Sequence, residues 1–102
     1  MTNLFKGNLK FLILYILSSG PIHGYGLFKE LEKKFKWKPS CGTLYPVLNE
    51  LETGGFVDGR ETVECGRFKK IYSLTSEGKE LLGRLSADLR NSVKMISFNE
   101  NY

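Results

Sequence analysis

The sequence predicts a mainly α-helical winged helix-turn-helix with a small β-hairpin and an appended C-terminal dimerisation helix. Three observations predict it. Apolar residues recur at helical spacing in three stretches before residue 56. The pattern then switches to strand-like alternation over 56–74, broken by Cys65-Gly66-Arg67. Helical spacing returns after Thr75 and runs almost to the end. A chain of 102 residues holds one modest core. The parts therefore form one compact unit, with a winged helix over residues 1–74 and a dimerisation helix over 75–102.

The first helix, 8–18, is hydrophobic nearly all round, as expected when one side meets the core and another meets a second chain. Leu9, Leu12, Ile13 and Ile16 are its expected dimer contacts. Lys6 and Lys10 before the apolar run Phe11–Leu17 give it some likeness to a signal peptide. Seven apolar residues are too few to cross a bilayer, and no Ala-x-Ala-like site follows, so the expected location is cytoplasmic, with no membrane partner.

Gly20-Pro21 ends this helix, and a second runs from about Gly24 to Phe35 on Tyr25, Leu27, Phe28, Leu31 and Phe35. The third, from about Ser40 to Gly54-Gly55, buries Leu44, Val47, Leu48 and Leu51 at i, i+3, i+4 and i+7. Pro46 interrupts it. The proline is tolerable if the first turn starts near Thr43, or if Gly42, four residues earlier, lets the backbone adjust. Strands over 56–64 and 68–74 follow, with Tyr72 and Leu74 sharing one face and Lys69 and Ser73 the other. Thr75 is placed to cap the last helix. Running from 76 to about 98, that helix is roughly 35 Å long at ~1.5 Å per residue, longer than so small a core can cover. Its outer stripe, Leu85, Leu89, Val93 and Ile96, is assigned to a partner copy.

A hydrophobic content of 41% and a charged content of 25% suit a soluble globular domain, and a net charge of +4 suits an anionic partner. Two cysteines and one histidine make neither a disulfide framework nor a zinc spacing. With no nucleophile, base and carboxylate constellation, neither an enzyme nor a bound cofactor is expected.

The basic residues fall in two groups. Lys29, Lys33, Lys34, Lys36 and Lys38 occupy the second helix and its exit; Arg60, Arg67, Lys69 and Lys70 occupy the hairpin. A helix that reads a DNA groove needs cations on both flanks, because phosphates line both edges. The third helix lies between the two groups. Ser40, Thr43, Tyr45, Pro46 and Asn49 lie on its outer face or at its N-terminal end, where hydroxyls, an amide and free N–H groups meet phosphates and base edges. With Lys38, Arg67, Lys69 and Lys70 they make the expected interface with a double-stranded DNA operator. For Tyr45 a second role stays open, packing against the wing. Cys41 is either inert or, at a helix N-terminus near lysines, a redox-reactive thiol.

His23-Gly-Tyr-Gly26, Gly42-Thr-Leu-Tyr-Pro46, Leu48-x-x-Leu-Glu-x-x-Gly55-Phe56 and Gly66-Arg67-x-x-Lys70-x-Tyr72-x-Leu74-Thr75-x-x-Gly78 occur in unbroken order. Together they resemble the PadR family of transcriptional regulators over about residues 9 to 85. The resemblance implies a homodimeric winged-helix repressor of detoxification, efflux or phenolic-stress genes, of the short subfamily with a single C-terminal helix. It puts Thr43, Tyr45 and Pro46 on the reading-helix motif and Arg67 and Lys70 on the wing motif, while Tyr72, Leu74 and Gly78 look structural. Phe68 departs from the family, which often has proline there.

Some short members bind flat aromatic compounds between protomers, so a small aromatic effector is among the expected partners. Trp37 and Phe98 are candidates for such a pocket or, alternatively, for packing in the core or interface. Two other functional classes stay open: a ligand or redox sensor acting through its dimer pocket, and a winged helix serving protein–protein assembly.

Overall fold

The computed structural model describes the backbone of residues 8–100 and the side chains of residues 8–91. Its elements are α1 (Leu9–Leu17), β1 (Ile22–His23), α2 (Gly24–Phe35), α3 (Cys41–Thr53), β2 (Val57–Glu64), β3 (Arg67–Leu74) and α4 (Ser76–Glu100). One antiparallel sheet has the order β1-β3-β2. α2 and α3 form the helix-turn-helix, and the β2–β3 hairpin is the wing.

The sequence leads one to expect two strands, and the sheet has three. Ile22 pairs with Tyr72, and His23 with Ile71. A two-residue strand is too short to carry an alternation, so nothing in the pattern announces it. His23 is the N-cap residue of α2 in extended conformation, but its side chain makes no capping bond.

The core gathers α1, α2, α3 and the base of the sheet. Leu27 and Leu31 of α2 and Leu44, Leu48 and Leu51 of α3 are buried with Val57 and Tyr72. α1 supplies six buried residues, Leu9, Leu12, Ile13, Leu14, Ile16 and Leu17. Its own chain surrounds it, through α2, α3, β3 and α4. This corrects one expectation. Leu9, Leu12, Ile13 and Ile16 are at most 6% exposed within a single protomer, so their side chains have almost no area left for a partner. The all-round hydrophobicity of α1 reflects its central position.

Two local devices join α3 to the wing and to α4. At the end of α3 the Phe56 N–H donates to the Leu51 carbonyl and the Gly55 N–H to the Glu52 carbonyl. Gly55 has φ +82°, so this is a Schellman stop, which turns the chain sharply into β2. Thr75 then caps α4 as expected: its hydroxyl accepts from the Gly78 N–H at 3.0 Å and donates to the Gly55 carbonyl at 2.6 Å. Gly78 packs so closely on the Phe56 carbonyl that a Cβ there would collide with backbone.

Candidate nucleic-acid interface

α3 divides as its sequence demands. Leu44, Leu48 and Leu51 face inward, while Ser40, Tyr45, Pro46 and Asn49 are exposed and Thr43 is half-buried. Ser40 is the N-cap residue, and its hydroxyl lies 3.1 Å from that of Thr43. The helix begins at Cys41, so Pro46 lies in its second turn and not its first. The first of the two explanations for the proline therefore fails. Proline has no N–H to give the carbonyl four residues back, and its ring crowds that carbonyl. Here the residue four back is Gly42, which is exposed and where an added Cβ would meet only the Ser40 hydroxyl, at 3.9 Å. The disturbance thus falls at the solvent-facing N-terminal end of α3.

Tyr45 leans toward α2. Its ring lies edge-on to Phe28 with centroids 5.8 Å apart. A Cβ on Gly24 would stand 3.2 Å from the Tyr45 hydroxyl, so the small residue at the start of α2 leaves room for it. Tyr45 remains 39% exposed, enough to keep one edge of the ring at the surface. Its bracing partner is the first helix of the helix-turn-helix motif.

The wing closes on a two-residue loop, because Glu64 pairs with Arg67 and only Cys65 and Gly66 lie between. Both have positive φ, 52° and 76°, the signature of a type I′ turn. Opposed residues share a face, so Gly59, Glu61 and Val63 stand with Tyr72, Lys70 and Phe68. The buried Tyr72 marks this as the inner face.

The four wing cations differ in their circumstances. Lys69 Nζ is 2.9 Å from Glu64 Oε2; the hydrogen bond and charge of Lys69 hold the Glu64 carboxyl below its usual value. Lys70 Nζ is 2.9 Å from Glu52 Oε1 on α3, and it also lies over the Tyr72 ring at 5.5 Å. Accepting that bond, the Glu52 carboxylate raises the Lys70 pKa, and Glu61 across the ladder adds to the effect. Arg60 pairs with Asp58 at 3.0 Å. Arg67 is exposed and has no carboxylate partner among the described residues. The sequence groups Arg67, Lys69 and Lys70 as equal DNA contacts. The structure separates them, because the two lysines are already engaged within the chain.

On the other flank, Lys38 lies 4.0 Å from Glu32 and stays largely exposed, and Lys29 stands over the Tyr25 ring at 4.9 Å. α2 ends on Lys36 in left-handed conformation, which turns the chain toward α3. Lys29, Lys33, Lys36 and Lys38 line an open hollow of about 460 Å³ with Tyr25, Phe28 and one carboxylate, Glu32. Phe28 also carries Tyr45, so this basic hollow adjoins the outer face of α3.

Of the remaining candidates, Leu85 packs half-buried against the core and Leu89 is 44% exposed. Val93, Ile96 and Phe98 lie outside the described side chains. Trp37 packs against the core. Cys41 is exposed at the first residue of α3. Among the described residues no group of His, Cys, Asp or Glu could hold a metal ion, and no helix is long and apolar enough to cross a membrane. Sequence reasoning quoted Gly24 and Glu52 only as parts of motifs and gave no role to either or to Gly59. A Cβ on Gly59 would meet Lys70 Cε and Glu52 Oε2, so this glycine makes room for the ion pair. No spacing rule links positions 52, 59 and 70; only the folded wing brings them together.

A helix-turn-helix with a hairpin wing and cations on both flanks of an exposed helix defines the winged-helix class of regulators. Residues 13–84 match the model of the transcriptional regulator PadR-like family, and the chain belongs to that family. It is 37% identical over 78 residues to the negative transcriptional regulator PadR of Bacillus subtilis, covering 72% of this chain and 42% of that protein. Against the structure of Bacillus subtilis PadR in complex with operator DNA the TM-score is 0.70, at 31% identity, over 76% of this chain and 45% of that one. A PadR-family regulator from Eggerthella lenta superimposes with TM-score 0.85 at 27% identity, over 94% of this chain and 84% of that one. The chain thus spans about two-fifths of the length of its Bacillus relative.

Proposed function

We propose that the chain is a sequence-specific DNA-binding repressor that works as a homodimer, with α3 of each protomer in the major groove and the wing on the flanking backbone or minor groove. The observation that carries this reading is the arrangement of α3, whose exposed Tyr45, Pro46 and Asn49 lie between the lysine-lined hollow of α2 and the wing. The Bacillus relative is named a negative regulator, and a related chain was solved on operator DNA. Both support the reading.

Within this reading Arg67, Lys38 and the N-terminal turn of α3 at Ser40 and Thr43 take phosphates, and Asn49 reads a base edge. Lys70 holds the wing to α3, and Lys69 holds the hairpin. A second copy covers the outer stripe of α4, beginning at Leu89. The family resemblance supports detoxification, efflux or stress genes as targets and a small aromatic compound as effector, with cytoplasmic DNA as the place of action.

The test is selection of bound duplexes from a random pool, followed by titration at several salt concentrations. The reading expects one enriched sequence with two half-sites about 34 Å apart and affinity that falls steeply with salt. A pool that shows no enrichment, with binding to a protein partner only, overturns it.

A further inference from the structure

The wing ends in an apolar pair that its fold does not use. Val63 and Phe68 face each other directly across the β2–β3 ladder, one step from the Cys65-Gly66 loop, and are 62% and 82% exposed. They stand on the inner face with Lys70 and Tyr72, beyond the point where the core supports it. A cross-strand pair of this kind stabilises a hairpin by only about 0.2–1 kcal/mol, far less than burying a phenylalanine would bring.

We propose that Phe68, backed by Val63, is an apolar wedge that enters the minor groove of double-stranded DNA beside the groove occupied by α3; the proposal rests on the DNA-binding reading. Three observations favour this occupant. The exposed guanidinium of Arg67 adjoins Phe68 and has no carboxylate partner among the described residues, leaving its charge for a phosphate. The wing carboxylate next to the loop, Glu64, is neutralised by Lys69 at 2.9 Å. Phe68 also borders an open hollow of about 340 Å³ whose other walls include Arg67, Lys69, His23 and Tyr25, so the ring is continuous with the basic face.

The walls of the minor groove are deoxyribose C–H groups, and flexible base steps open to apolar side chains, so an exposed phenyl ring between cations matches that groove chemically. A second copy of the chain fits less well. Two side chains at a hairpin tip fall far short of the roughly 800 Å² per partner of a stable interface.

The experiment compares the wild-type chain with Phe68→Thr, Phe68→Leu and Arg67→Ala. The probe is a labelled duplex of about 30 base pairs carrying the sequence that the wild-type chain selects, with 2-aminopurine at the flanking steps. Thr preserves strand propensity, so the hairpin stays folded, which a thermal melt verifies. Phe68→Thr is expected to lower affinity about tenfold and abolish the 2-aminopurine response while keeping the salt slope; Phe68→Leu stays within about threefold. Arg67→Ala lowers the salt slope by about one. Binding by Phe68→Thr within about twofold of wild type, or a loss that tracks the salt slope, overturns the wedge and leaves the DNA-binding reading intact. So does a change of Phe68→Thr confined to self-association of the free protein. A wild-type chain that selects no duplex overturns both.

Discussion

Lys70 Nζ stands 2.9 Å from Glu52 Oε1, and the pair occupies space that exists because residue 59 is glycine. This contact ties β3 of the wing to the last turn of α3 and fixes the angle between the two elements that flank the proposed DNA site. Under the proposed function, a lysine held in this way would act on DNA through geometry.

Replacing either partner should therefore have the same sign of effect. Glu52→Gln and Lys70→Ala are both expected to weaken duplex binding, with the salt slope kept for Lys70→Ala. If Lys70 were a phosphate contact, Glu52→Gln would release it and tighten binding. Both side chains are about one-third exposed, so their coupling in stability should be no more than about 0.5–1 kcal/mol in a urea double-mutant cycle. The Lys70 pKa is raised above the ordinary 10.5, so, while Glu52 is ionised, the pair's contribution is complete below pH 10.5 and is lost as pH rises through the raised value. NMR titration of the lysine side chain checks this, and in Glu52→Gln the value should fall back.

Gly78 and Gly83 lie on the same helix and should respond in opposite directions. A Cβ at Gly78 runs into the Phe56 carbonyl, which is backbone and cannot yield cheaply. Gly78→Ala should cost about 2–3 kcal/mol in denaturant melts. Gly83 has open space around its Cβ position, so Gly83→Ala should stabilise by about 0.5–1 kcal/mol through helix propensity alone.

Cys65 holds a φ of 52° in the wing turn, where a residue with a Cβ is strained. Cys65→Asn creates the favoured Asn-Gly pair for a type I′ turn and should stabilise the hairpin by about 0.5–1 kcal/mol. Amide exchange across the β2–β3 ladder reads this directly, with slower exchange expected at Val63 and Phe68.

Tyr45 offers a separation of packing from recognition. Its ring packs edge-on against Phe28, an arrangement worth about 0.5–1.5 kcal/mol. Tyr45→Phe keeps that packing and should melt with wild type, whereas Tyr45→Ala loses the buried ring area as well and should lose stability by more than that amount. If the hydroxyl reads DNA, Tyr45→Phe should nevertheless alter the selected duplex sequence, which repeating the selection on the variant reveals.

The sequence by itself determined the order of the helices and of the two hairpin strands, the Gly54-Gly55 stop, the Thr75 cap and the face of α3 that turns outward. These follow from local periodicity and capping chemistry, which a linear reading contains. Tertiary structure alone decided that α1 is enclosed by its own chain and that β1 completes the sheet. It also decided that Tyr45 leans on Phe28 and that Lys70 belongs to Glu52 while Arg67 has no carboxylate partner among the described residues. Burial, ion pairing and close approach depend on distances between residues far apart in the chain. A run of basic residues looks uniform until the fold brings a carboxylate beside one and leaves another in solvent.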